Sequence, residues 1–408
     1  MDALLEDLAD VYRDLHAHPE LGFAETRTAG IVAARLRTIG FEVTEGVGQT
    51  GVVGVLERGT GPTVRLRADM DALPVAEETG LPYASTARGV LDGKDVPVMH
   101  ACGHDMHTTA LLGALATLAA QDDWTGKILA VFQPAEETGG GARAMIEDDL
   151  FARFGTPDVV LGQHVGPLPA GAIGLRAGAS FAASDALDIT LYGRGGHGSR
   201  PEVTVDPVVM AAAVVMRLQT VISPDIAGTD VAVLTVGSIH AGEAPNVIPD
   251  SASLQLSIRS YDTAVRDRMI AAIERIVRGE AAAAGADREP RVELLYELPA
   301  VFNDADAVAR VGAAMQSELE GIMVIDPGVI TGSEDVGRFA EAAGVPCVYW
   351  ILGGADPAHF AGLASVAEIT ERVMSLPSNH SPQFAPAIMP TLGIGIRALV
   401  TAARSWLA

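Results

Sequence analysis

The sequence predicts an α/β fold in which a mostly parallel, doubly covered sheet has helices on both faces. Short runs of nearly continuous apolar residues alternate with longer amphipathic segments, as expected for parallel strands buried on both faces. In addition, polar clusters come directly after several of these runs, where open α/β sheets bind their ligands. With 408 residues, 49% of them hydrophobic, the chain is long enough for two domains.

Residues 1–178 and 299–408 carry the alternating pattern. Apolar residues at helical spacing predict helices, and compact apolar runs predict strands. The predicted helices are residues 3–16, 24–39, 108–120 and about 390–406, and the predicted strands are residues 51–56, 63–68, 127–132, 158–161, 323–330 and 345–352. We interpret the two segments as halves of one domain.

Residues 179–298 follow a different order, in which strand, helix, two strands, helix and strand succeed one another. This order predicts a ferredoxin-like α+β unit, a four-stranded antiparallel sheet with two helices on one face. The predicted strands are residues 187–193, 231–239, 252–260 and 291–298, and the helices are residues 206–222 and 264–284. Because the unit interrupts the larger sheet, we predict an inserted lid domain over residues 179–298.

Composition excludes some classes of function. The net charge of −24 argues against nucleic acid, since a phosphate-binding protein needs a basic surface, and it gives no support for binding an anionic membrane. No segment approaches the roughly 20 unbroken apolar residues that span a bilayer. The chain starts without the pattern of a signal peptide, and its two cysteines, Cys102 and Cys347, indicate no disulfide framework. We therefore expect a cytoplasmic location.

Residues 99–109 contain the most informative cluster, in which Cys102 and His104 flank a glycine. This spacing lets a thiolate and an imidazole point at one atom, and these are groups that bind transition metals. His100 and His107 in the same segment are alternative ligands. An isolated pair of this kind is more often structural, so the interpretation depends on what else converges here.

Glu136 and Glu137 form a second cluster directly after a strongly apolar run. Adjacent side chains point apart, so we expect one carboxylate on a metal and the other facing water. Neighbouring surface glutamates usually carry no function. The preceding strand and the following Gly139–Gly141, which permit close backbone approach, favour a site here.

Other polar residues also follow predicted strands, namely Asp69 with Asp71, His164, and residues 333–335. Parallel strands place their carboxyl ends at one edge of the sheet, so we expect these groups to converge with the two clusters above. His380, in a Ser-Asn-His-Ser-Pro segment, is a further candidate ligand. This convergence makes a metal-dependent hydrolase the leading hypothesis. Four histidines are interpreted as structural or left unassigned: His16, His18, His240 and His359.

The predicted lid holds three candidate site residues, His197 as a catalytic residue and Asn246 and Arg259 as substrate-binding residues. His197 lies in a glycine-rich turn, Asn246 lies between prolines, and Arg259 ends a predicted strand. A strand-end arginine is usually a solvated charge. If it lies beside Asn246, however, it can pair in a bidentate manner with a substrate carboxylate.

The sequence resembles the aminoacylase-related metallo-amidohydrolases, in particular the branch of hippurate hydrolases and auxin-conjugate hydrolases. The similarity runs in order across nearly the whole chain, and the His-Ala-Cys-Gly-His-Asp segment is its most specific part. The matching stretches are His16–Gly22, Leu66–Pro74, Met99–Thr108, Phe132–Glu137, Gly195–Ser199, Ala244–Pro249, Gly332–Asp335 and Asn379–Pro382.

The resemblance implies a zinc-aminopeptidase-like catalytic domain formed by residues 1–178 and 299–408, with a dimerising lid. It implies two divalent metal ions per subunit, for which thiolate and imidazole ligands favour Mn, Zn, Co or Ni. The implied ligands are Cys102, His104, Glu137, His164 and His380. Glu136 is implied as general acid and base, and we expect Asp71 to orient a ligand histidine.

The resemblance also implies a homodimer through the lid, with a homotetramer as the alternative. In it His197 reaches the partner's active site, and Asn246 and Arg259 bind the substrate. Two positions depart from the wider family pattern. The usual His-x-Asp is Asp69-Met-Asp71, and Cys102 replaces a bridging aspartate, as in the hippurate-type branch.

The expected reaction is hydrolysis of the amide bond of N-acyl-amino acids, either hippurate-like or N-acetylated. Alternatives on the same site are deacetylation of N-acetyl-diaminopimelate and cleavage of dipeptides. An alternative of another class is a non-catalytic carrier of metal or peptide. Glu136 counts against the carrier, which needs ligands but no general base.

Overall fold

The computed structural model describes residues 2–407. They form two compact units. The large unit comprises the chain up to Gly178, Phe302–Gly328 and the chain from Asp335 onward, and the small unit comprises Ala179–Val301 and Val329–Glu334. The small unit is thus longer than the 179–298 segment predicted for the lid. Residues 329–334 join it because Ile330 forms a β-bridge with Phe181, and the Ile330 carbonyl accepts the Ala182 N–H at 3.1 Å.

The helices and strands are numbered here in chain order. The α-helices α1–α11 are Asp2–Ala17, Thr26–Thr38, His104–Ala119, Gly141–Glu147, Leu150–Phe154, Pro207–Leu218, Thr263–Ala283, Ala305–Glu318, Gly337–Ala343, Val366–Ser375 and Ile388–Arg404. The strands β1–β18 are Glu42–Val47, Gly51–Arg58, Thr63–Asp69, Arg88–Leu91, Lys94–Pro97, Gly126–Gln133, Val159–Pro169, Ala172–Gly174, Gly178–Phe181, Ala183–Tyr192, Gly196–His197, Ala232–Ala241, Val247–Ile248, Ser251–Ser260, Arg291–Leu298, Val301–Asn303, Met323–Ile325 and Cys347–Ala355.

The large unit is built on an eight-stranded sheet in the order β1-β2-β6-β3-β7-β18-β8-β17. The four central strands β6, β3, β7 and β18 are parallel, whereas β1 and β2 add an antiparallel edge. The mixed, mostly parallel α/β sheet is confirmed. Parallel strands end at the same edge, so the residues at the carboxyl ends of β3, β6 and β7 become neighbours.

Both faces of this sheet are covered, and alternate residues of β3 show how. Val64 and Leu66 face the core formed with α1, α2, α3 and α11. On the other face, Arg65 is buried with its guanidinium 4.9 Å from the Phe151 ring and 5.2 Å from the Phe339 ring. Arg67, also buried, lies further along this second face. Its guanidinium donates hydrogen bonds to the side chains of Gln133 and Asp69.

The small unit contains a four-stranded antiparallel sheet in the order β12-β14-β10-β15. Helices α6 and α7 pack together with β10 and β14 around one core, which includes Leu187, Val214 and Ile273. The Asp206 side chain caps α6, and the Asp262 side chain caps α7. Their carboxylates accept backbone N–H groups that lack a partner within the helix. Strand order and helices match the predicted ferredoxin-like arrangement.

Some predicted element bounds are wrong. The strand predicted over residues 323–330 ends at Ile325, because the Asp326 side chain accepts the Gly328 N–H at 2.8 Å and turns the chain. The strand predicted over residues 158–161 continues to Pro169 beside β18, so His164 lies within a strand rather than after it. Within residues 2–407, no helix combines the length and apolar character needed to cross a membrane.

Candidate active site

Cys102 and His104 lie at the junction between a loop and helix α3. Gly103 between them is the N-cap residue and has a φ of +84°, a left-handed conformation that favours glycine. A side chain at this position would also come within 2.4 Å of Val165. The turn places the Cys102 thiol and the His104 ring, both buried, beside His164 within β7 and Asp71 just after β3.

Asp71 joins this helix to the loop that carries the paired glutamates. One of its carboxylate oxygens accepts the His104 Nδ1–H at 3.1 Å, and the other accepts the backbone N–H of Glu137 at 3.0 Å. The His104 Nε2 is therefore the ring nitrogen left to face a cation. It is buried without a hydrogen-bond partner and lies 3.8 Å from Glu137 Oε1, which also lacks one.

The five predicted metal ligands come together in the large unit. Cys102, His104 and His164 form one group, Cys102, Glu137 and His380 form a second, and within each group the potential ligand atoms lie within 4.8 Å of one another. The Cys102 Sγ is 3.5 Å from the His164 Nε2, and the His380 Nε2 is 3.4 Å from the Glu137 Oε2. A tetrahedral ion about 2.0–2.3 Å from its ligands holds them roughly 3.3–3.8 Å apart, so this spacing fits.

The protonation chemistry of these donors also fits a divalent cation. Burial raises the pKa of the Glu137 carboxyl to about 8. Burial and the Glu137 charge raise the pKa of the Cys102 thiol well above its ordinary value. A cation among these groups favours the deprotonated forms that act as ligands. His164 is oriented for the same purpose, because its Nδ1–H donates to the Val165 carbonyl at 2.9 Å and leaves Nε2 as the ligand atom.

His107, one of the two alternative ligands, has both ring nitrogens in use. Its Nε2 accepts the Val165 N–H at 2.7 Å, and its Nδ1–H donates to Asp69 at 2.6 Å. Asp69 in turn accepts the Arg67 guanidinium at 2.7 Å. His107 therefore supports the site structurally.

His100, the other alternative, is buried outside the candidate ligand groups found among the described residues. Burial lowers the pKa of its imidazole to about 4.

Glu136 is nearly buried beside the candidate ligands, with an oxygen 3.9 Å from the His104 Nε2. It stands between two residues whose backbone N–H groups are both held by buried carboxylates, Ala135 by Glu25 and Glu137 by Asp71. The two glutamates thus occupy different environments, as their adjacent positions predict. Glu137 faces His380 and His104, whereas Glu136 belongs to one group with His104 and Glu137 and to another that includes Asp335.

The candidate catalytic residue His197 and the candidate substrate-binding residues Asn246 and Arg259 belong to the small unit, but they do not lie together. His197 in β11 pairs with Val247 in β13, and the Asn246 carbonyl accepts the Gly198 N–H at 2.8 Å. Arg259 lies near the far end of β14, where it donates to the Thr331 carbonyl and the Ser333 hydroxyl, each at 2.8 Å. The eight residue-to-residue steps from Ser251 to Arg259 span roughly 26 Å of strand. Within one small unit Arg259 therefore does not lie beside Asn246, so the condition for a shared carboxylate-binding pair is not met there.

Two functional neighbours were missed from the sequence. Glu25, at the start of α2, is fully buried and contacts the Glu136 loop. Gln133, at the end of β6, links Arg67 to Asp335, whose other oxygen accepts the Ala142 N–H at 3.0 Å. Asp335 belongs to residues 333–335, which the sequence predicts to lie near the two polar clusters. Glu25 carried no such signal, because a glutamate before an amphipathic helix normally faces solvent.

Comparison with known proteins now assigns the chain to a family. The model of "Peptidase family M20/M25/M40" matches residues 65–368. The chain belongs to this family. It is therefore a hydrolase that acts on amide bonds, as the sequence predicted, and the family membership argues against the non-catalytic carrier.

Known relatives of this M20 member are similar over most of their length. The hippurate hydrolase of Campylobacter jejuni is 41% identical over 346 residues, which is 84% of this chain and 86% of that protein. The N-acetyl-L-cysteine deacetylase of Bacillus subtilis is 36% identical over 84% of this chain and 79% of its own. The YXEP protein of Bacillus subtilis, a dinuclear metal binding peptidase of the M20 family, superposes with a TM-score of 0.78 at 27% identity, covering 99% of both chains.

Proposed function

We propose that this M20 member is a metal-dependent amidohydrolase that cleaves the amide bond of N-acyl-amino acids. The observation that carries the proposal is the arrangement of two overlapping ligand groups with a further buried carboxylate, Glu136, close to His104 of one group and Glu137 of the other. A metal carrier needs ligands but no adjacent base. The similarity to a hippurate hydrolase and to an N-acetyl-L-cysteine deacetylase supports an N-acyl-amino acid as the substrate class.

The residues that would hold two divalent ions are Cys102, His104, Glu137, His164 and His380. Their soft and borderline donors favour Mn, Zn, Co or Ni. When bound, such ions lower the pKa of a coordinated water towards neutrality and polarise a carbonyl oxygen. Asp71 and the Val165 carbonyl hold the His104 and His164 rings so that each presents Nε2.

Glu136 supplies the proton transfers in this proposal. Its carboxylate accepts the proton of the attacking water and then returns it to the nitrogen of the leaving amino acid. The Glu136 loop is held on both sides by hydrogen bonds to buried carboxylates, so the carboxylate needs little rearrangement to act. His197 is proposed to donate to the oxyanion that develops on the substrate carbonyl.

The small unit is proposed both to bind the substrate and to form the interface between subunits. Arg259 is proposed to bind the carboxylate of the amino acid, and Asn246 a second polar group. His197 and Asn246 share one end of the small unit and Arg259 the other, which supports their action in two different sites of a homodimer. The edge strand β12 and the residue before it expose Val231, Val233 and Ile239, which supports pairing through this edge in a homodimer or in a homotetramer. A cytoplasmic location stays a prediction from the sequence.

The decisive experiment separates proton transfer from metal binding. Glu136→Gln should lower kcat about 10²–10⁴-fold, because the amide cannot accept the proton. Its metal content, measured by elemental analysis, should remain near that of the wild type. Glu137→Gln is the matched comparison and should lose metal as well as activity. If Glu136→Gln loses the metal and Glu137→Gln keeps it, the roles are reversed.

The substrate class is tested with a panel of amides. Hippurate, N-acetylcysteine and an indoleacetyl-amino acid should be hydrolysed after reconstitution with Mn, Co, Ni or Zn, and a chelator should abolish the activity. Preference for a dipeptide or for N-acetyl-diaminopimelate would select one of the alternative functions on the same site. Full activity in metal-free protein would refute metal dependence altogether.

A further inference from the structure

Glu25 is a buried carboxyl group that the proposed reaction does not use. It lies directly before helix α2, far from Glu136 in the sequence, and its side chain is fully shielded from solvent. One carboxylate oxygen accepts the backbone N–H of Ala135 at 2.8 Å, and the other accepts the Thr50 hydroxyl at 2.5 Å. A buried carboxyl group with both oxygens engaged has a defined orientation and can hold what it binds.

The Ala135 backbone needs such an anchor. Its φ is +47°, a left-handed conformation that is unusual for a residue with a side chain, and it directly precedes Glu136. Backbone in this region persists only where its surroundings hold it. The next anchor along the loop is Asp71, which accepts the Glu137 N–H. Glu136 therefore stands between two backbone amides, each held by a buried carboxylate.

The turn before Glu25 connects both anchors. The Ala72 N–H, next to Asp71, donates to the Glu20 carbonyl at 2.8 Å. Gly22 packs against Ala135 so closely that a side chain there would come within 3.1 Å of the Ala135 Cα. Residues 20–25 thus contact the chain beside Asp71 and beside Glu136 at once, and they can set the separation of the two.

We propose that Glu25 is a positioning residue, which fixes the Ala135 backbone and thereby the placement of Glu136 and Glu137 relative to Asp71. The proposal rests on the proposed function for its catalytic consequence, because Glu136 is there the proton-transfer group. The positioning itself is a property of the loop and can be measured without substrate.

Glu25→Ala removes the acceptor for the Ala135 N–H and should release the loop. A misplacement of about 1 Å at a reacting group costs on the order of 10²-fold in rate. We expect kcat to fall about 10–10²-fold, while KM changes less than about threefold, because Glu25 contacts no residue proposed to bind substrate. Metal content should stay within about twofold of the wild type.

Glu25→Gln is the conservative variant that should rescue the activity. The glutamine carbonyl can accept the Ala135 N–H, and its amide can donate to the Thr50 hydroxyl oxygen. Burial, together with the charge of Asp71, raises the pKa of Glu25 to about 7, so a neutral side chain here resembles a form that the native carboxyl group adopts near neutrality. We expect kcat within about fivefold of the wild type. Glu25→Asp has a side chain one methylene shorter, and its kcat should lie between those of Glu25→Gln and Glu25→Ala.

Asp148→Ala provides a matched control. The Asp148 carboxylate accepts the Gly48 N–H at 3.2 Å and so holds the same β1–β2 turn that contains Thr50, but it does not bind the Glu136 loop. This variant should be destabilised without a change in kcat greater than about twofold. It distinguishes loss of the Ala135 anchor from general loosening of the turn.

Hydrogen exchange measured by mass spectrometry on metal-free protein provides the readout that needs no activity. Peptides covering residues 133–140 should exchange faster in Glu25→Ala than in the wild type, Glu25→Gln or Asp148→Ala. If the wild type hydrolyses no amide, the proposed function fails but this measurement still decides the positioning role.

Two results would overturn the proposal. One is a folded Glu25→Ala protein with wild-type kcat and unchanged exchange in residues 133–140. The other is a Glu25→Gln protein as impaired as Glu25→Ala, since a role in positioning does not require the charge. If Glu25→Ala does not fold, the comparison of Glu25→Gln, Glu25→Asp and the wild type decides instead. The proposal then requires that Glu25→Asp has the lowest kcat and the fastest exchange in residues 133–140.

Discussion

At the scale of single residues, the hydrogen bonds of the two imidazole nitrogens distinguish the candidate metal ligands from the neighbouring histidines that are structural. His104 and His164 each donate Nδ1–H to an oxygen and leave Nε2 available to a cation. His107, three residues after His104 on the same helix, accepts a backbone N–H with Nε2 instead. The same residue type in one segment thus has two different roles.

The two histidines should respond differently to the same substitution. His104→Gln should weaken metal binding by more than about 10²-fold, because an amide is a poor replacement for an imidazole ligand. His107→Gln should keep the metal to within about tenfold but lower the free energy of unfolding by about 1–3 kcal/mol, since buried hydrogen bonds are lost. Metal titration and thermal unfolding check this. Equal loss of metal in both variants would contradict the assignment.

At the scale of elements, a buried charged cluster connects the end of α1 to the start of α3. The His16 Nδ1–H donates to Asp105 at 2.6 Å and its Nε2–H donates to Glu77 at 3.0 Å, and all three side chains are fully buried. Burial alone lowers the pKa of His16, but its hydrogen bonds to the two carboxylates outweigh burial and raise the pKa to about 10. Asp105 directly follows His104, so this cluster also fixes the helix start that carries the candidate ligand.

The cluster predicts a stability loss on the alkaline side. The folded pKa of His16, about 10, lies above the ordinary value of 6.5, so its contribution is complete below about pH 6.5 and is lost as pH rises through about 10. Denaturant midpoints of the metal-free wild type should therefore fall over this window. His16→Gln should be less stable at pH 6.5 and show a shallower decline. His18→Gln, at an exposed position nearby, should follow the wild type; a His16→Gln curve parallel to it would refute the prediction.

At the scale of the whole molecule, the proposed dimer explains why the small unit separates Arg259 from His197 and Asn246. In a two-fold dimer both subunits use the same surfaces. One small unit can therefore contribute Arg259 to one active site and His197 with Asn246 to the other. Edge strands that expose apolar residues usually need a partner, and β12 is such a strand. The interpretation requires that no single chain contains a complete site.

Mixing two inactive variants tests this requirement. His197→Ala and Glu136→Gln should each be inactive alone. After subunit exchange, about half of the dimers should be mixed, and each mixed dimer contains one site with both native residues, so up to about a quarter of wild-type activity should return. Exchange is verified with mass-tagged subunits. If exchange occurs and no activity returns, His197 acts within its own chain or not at all.

The resemblance to the metallo-amidohydrolases implied the five candidate ligands. The sequence by itself determined the α/β class, the order of the main helices and strands, and the expected convergence of several polar clusters at one edge of the sheet. These depend on local periodicity and on the rule that parallel strands end at one edge, which needs no knowledge of packing. Only the tertiary structure decided which ring nitrogen of His104 and of His164 faces the other candidate ligands, where the 323–330 strand stops, and that Glu25 holds Ala135. Those features depend on contacts between residues far apart in the chain, such as the 110 positions that separate Glu25 from Ala135, and no local pattern encodes such contacts.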